Sequence, residues 1–197
     1  AMPRLFTALE IPREAALSLS LLRGGLPGAR WMRGENYHIT LRFIGDIDCH
    51  TADELIAAFD RIDRPSFSLT LSGMGSFGSK KPHSIWAGVA PSPELMALQA
   101  EIERICQRHG LPPDPRRFSP HVTLARLRNA RVADVVKYLG GRGDFCTLPF
   151  DVGRFVVMSS RDSVGGGPYL VEEAYSLGWR NSFSSLETSS LQPSRNN

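Results

Sequence analysis

The sequence predicts an α+β protein built from two related halves. First, the tetrapeptide His-x-Thr-Leu occurs twice, at residues 38–41 and again at 121–124. Second, runs that alternate apolar and polar residues, as strands do, are mixed with runs of helical periodicity. Third, each half of the chain has the same predicted order of helix, loop, motif strand, helix and strand pair. We therefore expect a duplicated α+β unit.

Predicted elements of the first half begin with a strand over residues 4–9 and a helix over 12–23. The first motif lies in an apolar, β-branched run over 37–44, which predicts a strand. Thr51 and Glu54 have the spacing of a capping box and are expected to open the next helix. Alternation over residues 67–71 and again over 84–89 predicts the strand pair that follows this helix.

The second half is expected to repeat this order. Ser92 followed by Pro93 is a strong helix start, and an apolar stripe at helical spacing follows them. Its predicted strands cover residues 118–127, 154–158 and 169–177, its later helix covers 132–139, and a glycine-rich turn lies at 165–167.

Length and composition favour one domain. With 197 residues, 42% of them hydrophobic, the chain can bury one core or two lobes that share a core. We expect a two-lobed domain over residues 1–180 and a polar, Ser-rich tail over 181–197. The net charge of +3 is too small to indicate nucleic-acid binding by itself. No apolar run reaches the roughly 20 residues of a membrane span, and no signal peptide is recognisable, so we expect a cytoplasmic protein.

Each motif is expected to place an imidazole and a hydroxyl side by side. Successive side chains of a strand point to opposite faces, so His38 and Thr40 share one face while Ile39 and Leu41 share the other. The same holds for residues 121–124. If the two copies face each other across a pseudo-two-fold axis, both His-Thr pairs line one cleft.

Two facing histidines suit displacement at a phosphodiester. Because the pKa of histidine is about 6.5, one ring of a pair can accept a proton while the other donates one. Threonine hydroxyls two residues away can donate to the non-bridging phosphate oxygens, where negative charge must be stabilised. Arg126 is the nearest guanidinium able to pair with the same phosphate. The residues alone do not distinguish the donor histidine from the acceptor.

A metal site is the main chemical alternative, because histidine is a common metal ligand. Neither motif has a carboxylate at the second or fourth following position, and threonine is a poor ligand for zinc or iron. The three cysteines are widely separated, which disfavours both a zinc site and a disulfide framework. We therefore expect no metal and no cofactor.

Three segments together resemble a known family. These are RLFTAL at 4–9, HITLRFIG at 38–45 behind Trp31, and SPHVTLAR at 119–126. They are similar to the bacterial and archaeal RNA 2',3'-cyclic phosphodiesterases, also called 2'-5' RNA ligases, of the two-histidine phosphoesterase superfamily. The similarity extends over residues 4–177. It implies a bilobal fold in which two antiparallel sheets flank a central cleft with helices on the outside.

The resemblance also implies an activity and assigns roles. The activity is metal-independent opening of an RNA 2',3'-cyclic phosphate to a 2'-phosphate end. His38 matches the proton donor to the departing 3' oxygen, and His121 matches the acceptor that activates water. Thr40 and Thr123 match the phosphate-binding hydroxyls, and Arg126 matches the basic residue of the second motif. RNA ends or cyclic-phosphate nucleotides are the implied partners of a monomer without a membrane association.

The chain departs from the family pattern at two positions. His83 stands where family members often have arginine, and we expect a loop residue there, with a substrate contact as the alternative. Asp162 stands where an apolar residue is common. Phe6 could stack on a base, although an aromatic residue on a first strand is more often part of the core.

Two other functions remain open from the sequence. The first is cleavage or joining of 2'-5' RNA linkages, which would use the same catalytic residues. The second is an RNA-end binding module with incidental catalysis, in which the basic residues around the second motif matter more than the imidazoles. Arg116, Arg117 and Arg128 are the residues on which such binding would depend.

Overall fold

The computed structural model describes residues 4–160 and 168–178 and confirms a mixed α+β fold. Its four α-helices are α1 (Arg13–Ser20), α2 (Cys49–Phe59), α3 (Pro93–Arg108) and α4 (Val132–Gly140), and a 3-10 helix covers Gly34–Asn36. Its ten strands are β1 (Arg4–Glu10), β2 (Ala29–Trp31), β3 (His38–Gly45), β4 (Phe67–Leu69), β5 (Leu71–Phe77), β6 (Ser84–Val89), β7 (His121–Leu127), β8 (Phe150–Val152), β9 (Arg154–Ser160) and β10 (Tyr169–Ser176).

One eight-stranded sheet dominates the fold and differs from the two sheets that the resemblance implied. Its strand order is β10-β9-β1-β3-β7-β6-β5, with β2 paired to the far end of β7. The two motif strands meet in the middle, where Ile39 pairs with Val122 in antiparallel register. Because these strands share backbone pairing there, the sheet runs without interruption from one half of the chain to the other. Strands β4 and β8 form a separate two-stranded sheet.

The main core lies on the face of the sheet that carries the apolar motif residues. Ile39 and Val122 are fully buried, and Leu41 and Leu124 are nearly so. The apolar stripe predicted for α3 is confirmed, and its buried members are Leu95, Leu98, Ile102, Ile105 and Cys106. Burying these side chains supplies much of the free energy that holds the motif strands in place.

A second, smaller apolar cluster is formed by side chains of β1 and β9. Its members, Phe6, Ala8, Val156 and Met158, are buried, and Tyr169 of β10 packs against them. Phe6 is only 2% exposed, so the interpretation of this residue as part of the core is confirmed. It is too buried to stack on a substrate base.

Two helix starts test the capping predictions. Ser92 caps α3 as predicted, because its hydroxyl accepts a hydrogen bond from the Leu95 amide at 3.2 Å. The capping box predicted at Thr51 is wrong. Helix α2 begins two residues earlier at Cys49, and the Asp48 carboxylate accepts from the Thr51 amide at 2.7 Å. An aspartate three residues upstream of Thr51 offers a better cap, and α2 begins there.

The strand predicted over residues 67–71 is divided in the structure. It becomes β4, which pairs with β8, and the separate strand β5, which pairs with β6. Because glycine has no side chain, the two glycines of β5 obscure the alternation of apolar and polar residues in this part of the sequence. Gly75 is required there by packing, because a Cβ atom would lie 2.4 Å from the indole ring of Trp86. The short strands β2 and β8 were also absent from the predicted set.

Several predicted features lie outside the described residues. They are Asp162, the glycine-rich turn at 165–167 and the polar tail at 181–197. Within residues 4–160 and 168–178, no helix is long and apolar enough to cross a membrane.

Candidate active site

The register between the motif strands brings the four predicted motif residues together. The antiparallel pair of Ile39 and Val122 sets Thr40 opposite His121 and His38 opposite Thr123. Residues directly opposite each other in an antiparallel pair point to the same face. All four side chains therefore lie on the face turned away from the main core, where each is half-buried. Two separate sequence motifs thus form one constellation.

Both imidazoles are held by the same ring nitrogen. The Nδ1 of His38 lies 2.8 Å from the carbonyl oxygen of Asn36, and the Nδ1 of His121 lies 2.7 Å from that of Ser119. Because a carbonyl oxygen can only accept, Nδ1 is the protonated nitrogen in both rings. The Nε2 atoms are then free to gain or lose a proton. Nε2 of His38 lies 3.1 Å from the hydroxyl of Thr40.

Aromatic rings flank both imidazoles in a similar way. The ring of His38 lies 5.1 Å from that of Phe6 and 4.9 Å from that of Tyr169, centroid to centroid. The ring of His121 meets the edge of Phe77 at 4.9 Å. These contacts restrict the ring orientations and shield the imidazoles from water.

The pKa of each histidine is lowered from its ordinary value. Burial lowers the pKa of His38, the hydrogen bond to the Asn36 carbonyl opposes that effect, and the charges of His121 and Arg126 lower the pKa further. For His121, burial again lowers the pKa, and the bond to the Ser119 carbonyl opposes it. Both rings favour the neutral state at neutral pH.

A β-bulge determines where Arg126 points. Along β6 and β7, Trp86 pairs with Thr123 and the adjacent Ile85 pairs with Ala125, so Leu124 is an extra residue in its strand. A bulge reverses the alternation of faces beyond it. Arg126 would share the buried face of Leu124 in a regular strand, but here it is exposed on the side of His121.

The first motif contains a matching bulge. Ala8 pairs with Thr40 and the adjacent Thr7 pairs with Arg42, so Leu41 is the extra residue of β3. The residue brought to the exposed face here is Phe43, which is 57% exposed. The two halves are therefore alike at histidine and threonine but differ three residues after the threonine.

His83 lies close to this site. It is exposed in the loop before β6, which confirms the prediction of a loop residue, and its ring stacks on Phe77 at 6.2 Å. Phe77 in turn contacts His121. A substrate contact by His83 stays a prediction. No local sequence pattern marks Phe77 or Tyr169 as neighbours of the imidazoles, because their contacts depend on tertiary packing.

Paired imidazoles and hydroxyls on one face of an α+β sheet are an arrangement typical of phosphoesterases. Comparison with known proteins agrees with this class and makes it more specific. The family model described as the 2'-5' RNA ligase superfamily matches residues 14–163. The chain belongs to this superfamily.

Two curated relatives extend the comparison. The protein named RNA 2',3'-cyclic phosphodiesterase from Aeropyrum pernix is 36% identical over 154 residues, which are 77% of this chain and 84% of the relative. The protein of the same name from Thermotoga maritima is 32% identical over 176 residues, which are 85% and 92% of the two chains. Each match therefore covers most of both chains.

Solved structures share the fold. The crystal structure of Escherichia coli LigT complexed with 3'-AMP is similar with a TM-score of 0.72 at 25% identity, over 91% of this chain and all of that one. The structure of TT0787 from Thermus thermophilus gives a TM-score of 0.75 at 22% identity, over 90% and 99% of the two chains. The arrangement of strands described above is therefore that of a known family of folds.

Proposed function

We propose that the protein hydrolyses RNA 2',3'-cyclic phosphate ends to 2'-phosphomonoesters without a metal. The observation that supports this most directly is the placement of His38 and His121 on one sheet face, each anchored through Nδ1 so that Nε2 can exchange a proton. The curated relatives carry the name of this activity. RNA ends and cyclic-phosphate nucleotides are the substrates that this proposal implies.

The proposed reaction transfers one proton at each histidine. Nε2 of His121 removes a proton from water as the water oxygen attacks phosphorus. The bond from phosphorus to the 3' oxygen breaks, and Nε2 of protonated His38 donates its proton to that oxygen. The products are a 2'-phosphate and a free 3'-hydroxyl, and the pair has exchanged its protonation states.

Charge on the phosphate is balanced by the remaining site residues. The hydroxyls of Thr40 and Thr123 donate to the non-bridging oxygens, and Arg126 pairs with the same group. The Thr40 hydroxyl, which lies 3.1 Å from Nε2 of His38, can give up that contact when the donor is protonated and phosphate is bound. A bound anion also raises the pKa of His38, which favours the protonated donor that the reaction needs.

The decisive experiment measures turnover of a short RNA that ends in a 2',3'-cyclic phosphate, with and without a strong chelator. We expect a 2'-phosphate product at equal rates in both conditions. A rate that collapses with chelator and returns on addition of a divalent metal would refute the metal-independent mechanism. A 3'-phosphate product would reverse the assignment of the departing oxygen.

Two alternative functions predict different outcomes. Action on 2'-5' linkages would use the same four motif side chains, so substitutions cannot distinguish it from hydrolysis of cyclic phosphates. Assays of 2'-5'-linked oligonucleotides beside the cyclic-phosphate substrate distinguish the two activities. An RNA-end binding module would retain RNA affinity in a double alanine variant of the histidines. It would lose affinity, with a smaller salt dependence, when the exposed Arg116, Arg117 and Arg128 are replaced.

We also propose that the fold is a bilobal duplication acting as a monomer. Each half has the order strand, helix, motif strand, helix and two strands, if β2 and β10 are treated as additions. The last strand of each set, β5 or β9, pairs with the first strand of the other set. Because one chain supplies both motifs, a second copy is not needed to complete the site.

A further inference from the structure

The short strand β2 adds one arginine to the face of the sheet that carries the candidate active site. Arg30 of β2 lies directly opposite Arg126 of β7. Because residues directly opposite each other in an antiparallel pair point to the same face, Arg30 shares the face of Arg126, and both are exposed. The next residue, Trp31, points to the other face, where its ring lies 5.7 Å from that of Tyr138. Strand β2 therefore contributes a single side chain, that of Arg30, to the side of the two histidines.

The positive charge at this edge of the site is not balanced by the protein. Cβ atoms of directly opposite residues are about 5 Å apart, and like charges in this position repel each other. Within residues 4–160 and 168–178, neither Arg30 nor Arg126 forms an ion pair with a carboxylate. Arg128, two residues beyond Arg126, is also exposed and adds to the positive charge. These guanidinium groups are therefore available to an anionic ligand.

The backbone that carries Arg30 is fixed on both sides of this residue. The amide of Met32 donates to the carbonyl oxygen of Leu124 at 2.8 Å, and the amide of Arg128 donates to that of Gly28 at 3.0 Å. Gly28 is required for this approach, because its φ is +81° and a Cβ atom would lie 2.6 Å from the carbonyl oxygen of Arg128. Arg30 therefore projects from a strand that is formed before a ligand arrives, which reduces the entropic cost of binding.

Arg30 lies beyond His38 along the same edge of β7. Both β2 and β3 pair with this edge, where His38 lies opposite Thr123 and Arg30 lies opposite Arg126, three residues further along β7. In the proposed reaction His38 donates its proton to the 3' oxygen of the terminal ribose. The carbon that bears this oxygen is bonded to C4', which carries the 5' carbon and its phosphate. The rest of the RNA therefore leaves the reacting ring on the side of His38, toward Arg30.

We propose that Arg30 binds the phosphodiester on the 5' side of the terminal nucleotide, so that the site prefers RNA ends to single nucleosides that carry a cyclic phosphate. The inference rests on the proposed function, because it extends the substrate of that reaction by one phosphate. Arg126 then holds the reacting phosphate, and Arg30 holds the next phosphate of the strand. Since the contact is with the backbone, the preference is for chain length and is independent of base sequence.

The test compares substrates with and without a phosphate at the 5' oxygen. They are adenosine 2',3'-cyclic phosphate, the same nucleotide with a 5'-phosphate, and the dinucleotide ApA that ends in a 2',3'-cyclic phosphate. We expect Arg30→Gln to raise KM about tenfold for the second and third substrates with little change in kcat, and to leave the first unchanged. Arg30→Lys should recover part of the loss, because it keeps the charge without the planar guanidinium. Arg104→Gln, at an exposed position of α3, is the matched control and should change none of the three.

The salt dependence gives a second readout. For the dinucleotide, the slope of log(1/KM) against the logarithm of salt concentration should become smaller by about 0.7 in Arg30→Gln, because one phosphate contact is lost. Equal losses on all three substrates would assign Arg30 to the reacting phosphate and overturn the proposal. An unchanged KM for the dinucleotide would also overturn it. A loss confined to the dinucleotide would indicate a contact with the second nucleoside and would refute the phosphate contact.

Binding separates this proposal from the proposed function. Calorimetry compares adenosine 2'-monophosphate with the dinucleotide ApA that ends in a 2'-phosphate, on the wild type and on Arg30→Gln. We expect the dinucleotide to bind more tightly to the wild type, and Arg30→Gln to remove this advantage. A wild type that shows the advantage yet hydrolyses no cyclic phosphate would refute the proposed function and leave the Arg30 contact intact. A wild type that hydrolyses the cyclic phosphate but binds both ligands equally would refute the Arg30 contact alone.

Discussion

Ile39 and Val122 lie opposite each other where the two motif strands meet, and both are fully buried. This pair sets the register that puts two histidines and two threonines on the other face of the sheet. A shift of one residue in either strand would turn its histidine into the core. The packing of two apolar side chains therefore determines whether the site exists.

Replacing either histidine tests the proposed acid–base pair. We expect His38→Ala and His121→Ala each to lower kcat by about 100-fold or more, because each removes one proton transfer in the transition state. The double variant should lose little beyond the worse single variant, since the two rings act as one unit. Steady-state assays on a cyclic-phosphate RNA measure these values. Near-normal turnover in either single variant would reject the pair.

The pH dependence follows from the lowered pKa values. The active enzyme carries one proton on the pair, so kcat/KM should follow a bell-shaped curve between two apparent pKa values. Since burial lowers the pKa of both His38 and His121 from about 6.5, the maximum should lie below pH 6.5. The kcat profile should lie at higher pH, because the bound anion favours the protonated donor. A kcat/KM maximum above pH 7 would contradict the electrostatic description of the site.

The sequence predicted the motif face but not the bulges. Alternation correctly put His38 and Thr40 on one face, because the strand is regular up to Leu41. In β7, simple alternation beyond Leu124 would place Arg126 on the same buried face as Leu124. The bulge in the structure instead leaves Arg126 exposed. A bulge depends on pairing with the neighbouring strand, which local sequence does not specify. The link between the two halves of the sheet at Ile39 was hidden for the same reason.

Arg126 offers a test of this bulge and of the phosphate contact. Arg126→Gln should lower kcat/KM by about 100-fold, a typical loss for removal of a group that stabilises developing charge. It should also move the pH profile upward, because the charge of Arg126 lowers the pKa of His38. Arg104→Gln is the matched control, because Arg104 is an exposed arginine on α3. Equal effects of the two substitutions would contradict a specific role for Arg126.

The ion pair between Arg42 of β3 and Glu103 of α3 is expected to stabilise the fold. Arg42 and Glu103 have side chains that are 8% and 18% exposed, so Glu103→Gln would leave a buried guanidinium without its counter-charge. We expect a loss of about 3 kcal/mol in the free energy of unfolding, measured by urea denaturation. Glu101→Gln on the same helix is the control. Its partner Arg64 lies 2.8 Å away in a more exposed pair, and the loss there should be below about 1 kcal/mol.

The same ion pair should make the free energy of unfolding depend on pH in the acid range. Burial raises the pKa of Glu103, but hydrogen bonds from Arg42, the Asp114 amide and Gln107 outweigh it, and the net pKa is lowered. A lowered pKa in the folded state means that the carboxylate stabilises the protein above the ordinary glutamate pKa of about 4.3. This contribution is lost as pH falls through the folded value. The difference in unfolding free energy between wild type and Glu103→Gln should therefore be constant near neutral pH and shrink below about pH 4. A difference that stayed constant throughout the acid range would show that Glu103 acts by packing rather than by charge.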